Sequence, residues 1–527
     1  MKKLLWVLLL SAACVAQTNT ADDYIRQGNA AAHNDDHLGA IRSYEKAIEI
    51  DERLRESLLY KLGQQYLWAD RPANAARLLR EYVDKNPGEC PAKSTLALAL
   101  SWANQLKKAE EEYRQIAGSC PDMKVDALLG EARALRWHDR FSDASELYRQ
   151  VLLVGTDAQK NDAKLGLALI KLAQDENRSA RDDFRSLASQ SKPDPSAIEG
   201  LAVSDLHLGL PEKAQEDLQL GTTGGARSRQ LDDLSEHIRT INSPQIAPAF
   251  QFFHDADGTN YYGGEVRSSF ALTPRSTIAA FFTASNLSRD AVSIDGRGGG
   301  LAIDYRANES LAFHGEGRYT QYSGVNFNPV TGELDAIVTP TDHSRLDLAV
   351  ARITIWDAPT ALQNHLAGTF GSIGLDQKIT TQDQLTAGFS ATAWNDGNRR
   401  LVFRLTPAHR FEGTPRFTLS LPMLYQTYDR GFNFVLFSPT SYTEITPALD
   451  IHFRRSRIWN FDVGGRLGGQ KEAALQWKPI GAFHASVERD LKRGWGLKAT
   501  VSHSSSNVAS STGFSRTSFF FTVARTF

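Results

Sequence analysis

Two hydrophobic periods divide the 527-residue chain. Up to about residue 240 apolar positions recur every three or four residues, which predicts amphipathic helices. From Gln245 onward they recur every second residue, which predicts strands. Phe417, Leu419, Leu421, Met423 and Tyr425 alternate with Thr418, Ser420, Pro422 and Leu424. Leu385, Ala387, Phe389, Ala391 and Ala393 do the same with Thr386, Gly388, Ser390 and Thr392, and the runs from Trp459 and Trp495 repeat the pattern. A period of two with one polar face predicts a sheet with one wet side. Asn242-Ser243-Pro244 marks the change of period.

The helical half is internally repetitive. Ala40, Ala75, Ala109, Ala144, Ala180 and Ala214 are spaced by 35, 34, 35, 36 and 34 residues. Four residues after each stands a large side chain: Tyr44, Leu79, Tyr113, Tyr148, Phe184 or Leu218. One helical turn separates the two, so small and large residues share a face and allow close helix packing. Gly28 and Gly63 precede the first two alanines by twelve residues, and Pro87, Pro121 and Pro193 fall near repeat ends. This pattern resembles the tetratricopeptide repeat, in six units over residues 21–220. The resemblance implies a solenoid that docks proteins or peptides. Cys90 and Cys120 fall at the start of the first helix and the end of the second helix of unit three. Antiparallel helices bring those ends together, so a Cys90–Cys120 disulfide is expected. His33-Asn34-Asp35-Asp36-His37 lies at a helix–helix turn, where polar residues are ordinary, and is not read as a metal site.

Composition narrows the class. The net charge of −2 gives no reason to expect nucleic acid, and no apolar run is long enough for a spanning helix. Mean hydropathy is −0.36, which a membrane barrel tolerates because its strands hide apolar residues in alternate positions. Met1-Lys2-Lys3, the apolar Leu4–Leu10 and small residues through Ala16 read as a secretory signal, residues 1–16. Cys14 offers lipidation as an alternative, although Ser11 stands where a lipobox has Leu. Three cysteines suit an exported chain that is not built on disulfides.

The expected architecture is therefore α + β and multidomain: a repeat solenoid over 21–220, a linker over 221–244 holding one short helical stretch, and an antiparallel transmembrane β-barrel over 245–527. About fifteen strand-like segments are visible, and single-chain barrels close with an even number, so sixteen strands are expected, with fourteen as the alternative. Tryptophans at 356, 394, 459, 477 and 495 mark strand ends, as an interfacial girdle would. With apolar positions facing lipid, Glu265, Arg267, His314, Glu316, Arg318, Arg404, Asp462, Arg466 and Lys498 fall on the lumen face. Their mixed signs suit a neutral or weakly charged polar cargo better than ion selectivity. Residues 324–344 read as the longest loop, outside or folded into the lumen. Asp255-Ala256-Asp257-Gly258 begins like a calcium loop, but Val266 stands where the bidentate Glu is needed, so a hairpin turn is expected. The last run, Phe519 to Phe527, resembles the closing strand of a bacterial outer-membrane barrel, whose terminal aromatic (here Phe527) is an assembly signal. Arg525 departs from that pattern. A soluble sandwich is the other reading of the alternation.

Signal, repeats and C-terminal barrel together resemble exopolysaccharide export proteins of the cellulose synthase operon protein C and poly-N-acetylglucosamine export porin type. The YaiO-type barrel is a smaller relative in layout. Phe437-Ser438-Pro439-Thr440-Ser441-Tyr442 and Trp394-Asn395-Asp396-Gly397-Asn398 are similar to short stretches of that group. The resemblance implies polymer export through the barrel, with outer-membrane lipid, periplasmic or inner-membrane proteins and polysaccharide as partners. It implies no cofactor, no metal and no catalytic residue. Six repeats are fewer than those families carry, which bears on reach across the periplasm. A non-conducting scaffold or surface receptor is the alternative. A lipid-acting enzyme needs a Ser/His pair on the lipid face, for which His503 beside Ser502, Ser504 and Ser505 is the candidate.

Overall fold

The computed structural model describes residues 20–190, 194–241, 243–431, 438–456, 458–491, 494–506 and 514–527. Residues 1–16, read above as a secretory signal, with Cys14, and also Pro193 and Phe437, lie outside the described residues. Two compact units result, one ending at Ala163 and the other spanning Lys164–Phe527.

Six successive helix pairs precede the sheet. They are α1 (Ala21–His33) and α2 (His37–Ile50), α3 (Arg55–Trp68) and α4 (Pro72–Lys85), α5 (Cys90–Trp102) and α6 (Leu106–Ser119). Then come α7 (Lys124–Trp137) and α8 (Phe141–Val154), α9 (Asp157–Ala173) and α10 (Asn177–Ala188), α11 (Pro195–His207) and α12 (Pro211–Thr223). The six repeat alanines are fully buried, and the large residues one turn on are buried too. A Cβ at Gly28 would lie 2.6 Å from the Tyr44 ring, and one at Gly63 would lie 2.7 Å from Leu79, so both positions need glycine for the helices to cross. Five residues before every alanine the backbone turns left-handed, at Asp35, Asp70, Asn104, Asp139, Asp175 and Gly209. Asp, Asn and Gly are the residues that tolerate this conformation, and it ends each first helix. Cys90 opens α5, Cys120 follows α6, and the two are bonded.

Residues 221–244 hold a packed helix, α13 (Arg229–Ile241). Its Leu231 and Ile238 are buried against Ile198, Ala214 and Leu218, so α13 covers the apolar end of the last pair.

Among the described residues eighteen strand segments follow in a single antiparallel sheet. They are β1 (Gln245–Asp255), β2 (Asn260–Thr273), β3 (Ser276–Arg289), β4 (Val292–Asn308), β5 (Leu311–Ser323), β6 (Val330–Val338), β7 (Ser344–Thr354), β8 (Ala367–Lys378) and β9 (Asp383–Trp394). The rest are β10 (Arg399–Phe411), β11 (Arg416–Ser420), β12 (Met423–Tyr428), β13 (Tyr442–Ile445), β14 (Ala448–Ser456), β15 (Trp459–Glu472), β16 (Lys478–Leu491), β17 (Trp495–Ser506) and β18 (Phe514–Thr526). A short helix, α14 (Pro359–Gln363), lies between β7 and β8. β10 pairs in one unbroken register with both β11 and β12, and β15 keeps one register with β13 and with β14 as far as Arg454. Each of those two couples is therefore one crossing, interrupted where Pro422 and Pro447 remove ladder donors. Sixteen crossings remain, closed by pairing of β1 with both β2 and β18.

β1 leaves the helices, so its starting end is the helix-side end of the barrel. Residues 324–344 are not one loop. β6 occupies 330–338, with Leu334 facing out and Glu333 and Asp335 facing in. The acidic positions disguised an ordinary period-two strand whose wet face is charged. Residues 339–343 form a tight helix-side turn instead.

Candidate functional site

The outside of the barrel is apolar. Leu467, Leu334 and Leu301 are 76 %, 66 % and 60 % exposed, and Phe282, Phe403 and Val463 share their outward parity. A closed ladder with an apolar exterior satisfies every backbone group inside a bilayer, so the second unit contains a membrane-spanning barrel of the outer-membrane type. At the helix-side end Trp459 and Trp495 carry the guanidinium groups of Arg489 and Arg525 over their rings, at 4.5 and 5.1 Å. Arg525 also lies 4.6 Å from the Phe527 ring, and Phe527 N–H donates to the Pro244 carbonyl at 3.0 Å. The arginine that breaks the apolar alternation thus joins two interfacial aromatics. The girdle is narrower than the five tryptophans suggested. Trp394 is inward by strand parity and buried on Ala361 and Tyr428, and Trp356 packs on Phe253 and Tyr261.

Inside, four of the lumen-facing positions meet. Arg267 reaches Glu265 at 3.1 Å and Glu316 at 2.8 Å; Arg318 reaches the same two carboxylates at 3.1 and 3.0 Å. Phe281 lies between the guanidinium groups, 4.5 Å from each. The ladder explains this: Arg267, Phe281, Gly300 and Arg318 occupy one row across four strands. Gly300 leaves the floor on which the ring lies, since a Cβ there would be 2.5 Å from the ring and 2.2 Å from the Gly317 carbonyl oxygen.

The other lumen-facing positions are dispersed. His314 bonds Asp304 through Nδ1 at 2.8 Å and faces Glu333 through Nε2 at 3.6 Å. Among the described residues His314, Glu333 and Asp335 bring three potential ligand atoms within 4.8 Å of one another. Asp462 meets His452 at 2.7 Å, and Arg466 meets the buried Glu444 at 3.1 Å. Tyr442, at the end of the Ser438–Tyr442 stretch, donates to Gln470 at 2.9 Å. Lys498 stands opposite Glu488 in the ladder, and Arg404 opposite Gly388, with no ion pair to a described residue. His503 faces outward with Nδ1 at 2.9 Å from the Thr517 hydroxyl; Ser505 shares that face, and Ser502 and Ser504 turn to the other.

At the far end one segment turns inward. The 355–366 segment, carrying α14, folds into the lumen. Leu362 packs on the inward Phe253, Leu287 and Ile294, and Ala361 and Leu366 pack on Trp394 and Tyr428. Arg516 fastens the segment through Asp357 at 2.7 Å, holds Asp255 at 3.3 Å and covers the Phe253 ring at 4.2 Å. Between this plug and the Arg–Glu network is a cavity of about 530 Å³, lined by Tyr261, Thr283, Ser285, Thr320, Tyr322 and Trp356 among others.

The helix-side rim carries the last repeats of the same unit. Helix α10 lacks a side-chain cap of its own. Asp342, in the β6–β7 turn, supplies it: Arg178 and Ser179 N–H groups donate to its carboxylate at 3.0 and 3.1 Å. The Arg178 side chain bonds the carbonyls of Glu309 and Thr339. Lys378, at the end of β8, donates to the Gln174 carbonyl just past the C-terminus of α9. Arg181 pairs with Glu309 and Arg275 with Glu212, and the Arg181 hydrogen bond holds the Glu309 carboxyl below its ordinary range. Gly209 replaces the Asp or Asn of the other repeats because Arg306 crosses 2.1 Å from where its Cβ would be. On α12, Asp217 is pushed up to about 6 by burial and by the neighbouring Asp205.

Fold and site together define the class: a helical repeat region followed by a closed sixteen-stranded membrane barrel with a charged, internally plugged lumen. No family model and no curated protein matches the chain. Among solved structures it is similar to a bacterial polysaccharide outer membrane secretin, at 13 % identity and TM-score 0.47, over 54 % of this chain and 99 % of that one. A tetratricopeptide repeat protein from Parabacteroides merdae is similar at 16 % and 0.35, over 42 % and 90 %. The outer membrane protein opdK from Pseudomonas aeruginosa is similar at 10 % and 0.33, over 54 % and 99 %.

Proposed function

We propose that the chain exports a polysaccharide across the outer membrane, with its repeats in the periplasm docking a synthase or modifying partner. The observation that carries this reading is the lumen cavity. Its walls combine aromatic faces, Tyr261, Tyr322 and Trp356, with hydroxyls and with carboxylates and guanidinium groups of both signs. Such a lining takes an uncharged, hydroxyl-rich chain rather than a simple ion. The site needs no catalytic group, since the polymer is driven from its point of synthesis. The resemblance of the whole layout to exopolysaccharide export proteins points the same way.

A second reading has its own observation. The plug lies in the far end of the lumen, as it would in a non-conducting scaffold or receptor. Planar-bilayer conductance of the full-length protein separates the two. Conductance that soluble oligosaccharides block is expected for the exporter. A folded barrel that stays silent, even after the plug is released, overturns it in favour of the scaffold.

A further inference from the structure

Three tryptophans recur at one position of three successive repeats. Trp68, Trp102 and Trp137 close α3, α5 and α7, and each precedes its repeat's buried alanine by seven residues. They are 52 %, 41 % and 41 % exposed. The Trp68 and Trp102 rings meet edge to face with centroids 5.8 Å apart, and the Arg136 guanidinium lies 5.9 Å from the Trp137 ring. The first helices of these repeats touch directly, α3 against α5 and α5 against α7, so the indoles form a row along one edge of the first unit. The equivalent positions on either side are His33 and Ala173, which confines the row to repeats two to four.

Packing does not require these rings to be there: the cores of the repeats are filled by the alanine and tyrosine or leucine positions beneath. The row is also not a protein-docking core of the usual kind, which is a contiguous apolar patch from which charge is excluded. Asp70 and Arg71 follow the first indole, Asn104 and Gln105 the second, and His138 and Asp139 the third. Discrete aromatic faces with polar neighbours suit an amphipathic ligand. A pyranose lays its axial C–H face on an indole and presents its rim hydroxyls to the side chains beside it. A ring row repeated at the pitch of the solenoid suits a ligand that itself repeats.

We infer that Trp68, Trp102 and Trp137 form a carbohydrate-binding ladder that holds an extended chain of pyranose units. The place of the ladder stands on geometry alone; the choice of a glycan rests on the export reading above.

Detergent-solubilised full-length protein, applied to an array of neutral, amino-sugar and uronic-acid hexasaccharides and the matching disaccharides, tests this. Retention is expected on at least one hexasaccharide class and at least tenfold weaker on its disaccharide. The Trp68→Ala/Trp102→Ala double variant is expected to lose at least tenfold in affinity, while Leu153→Ala, at another exposed apolar residue of the same unit, binds as the parent does. No retained glycan, retention unchanged in the double variant, or retention of an apolar peptide array through the same indoles would overturn the inference. Conductance keeps the two readings apart. Oligosaccharide block that persists without ladder binding leaves the export reading standing alone, and ladder binding to a barrel that never conducts leaves the ladder standing alone.

Discussion

Phe281 and Phe282 are neighbours in sequence and face opposite environments, one a lumen salt-bridge network and the other lipid. Two adjacent aromatics carry no parity, so Phe281 was not legible as a lumen residue. Glu265, Arg267, Glu316 and Arg318 were legible, because charges at alternate positions of a membrane strand can only face in. What alternation could not show was that a glycine on the intervening strand brings all four together. Gly300→Val is therefore expected to displace Phe281 and split the network. The change should lower the temperature at which the folded barrel loses its heat-resistant mobility on gels, with Phe281→Leu producing a smaller shift. Asp217 gives a pH prediction. Its folded carboxyl titrates near 6, above the unfolded carboxylate range, so the folded state favours the protonated acid. The stability it contributes is full only below the unfolded carboxylate range and is lost as pH rises through about 6. Asp217→Asn should flatten that part of the pH profile of α12, measured by amide exchange, and raise its protection at pH 8.

At the level of elements, the sequence pattern was most informative where one rule governed many residues. The alanine spacing located all six helix pairs, and an unused signal at the same spacing, Asp, Asn or Gly five residues earlier, located their turns. β6 was hidden by charge, and α14 by brevity: five residues give too few positions for a period. Its placement is nevertheless specific. With Leu362 fully buried against lumen-facing side chains and Arg516 bridging Asp357 and Asp255, the segment is a fastened plug. Arg516→Ala is expected to raise the open probability in planar bilayers, and deletion of residues 358–364 to raise it further. Equal conductance in parent and both variants would remove the plug from any gating role.

For the whole molecule, the compact division after Ala163 falls inside α9, within the periodic array rather than at its end. Repeats five and six share a unit with the barrel, tied to the rim by Arg178, Arg181, Glu212 and Lys378. That tie was not legible, because it depends on turns far apart in sequence. Asp342→Ala should remove the cap of α10 and an anchor of Arg178, at a cost of about 1 kcal/mol for the cap alone. The expected readout is faster amide exchange at Arg178 and Ser179 and easier proteolysis near residue 175, with the barrel's own heat resistance unchanged.

The borrowed cap also fixes an order of events. The donor groups that begin α10 wait for a carboxylate more than 160 positions later in the chain, on a turn that exists only once β6 and β7 have paired. Before the sheet closes, the fifth repeat starts with bare N–H groups, and the sixth lacks its seat on the rim. Completion of the array thus becomes a report that the barrel has been assembled. A partner that recognises only the finished repeats would be recruited to inserted molecules and would pass over those still in transit.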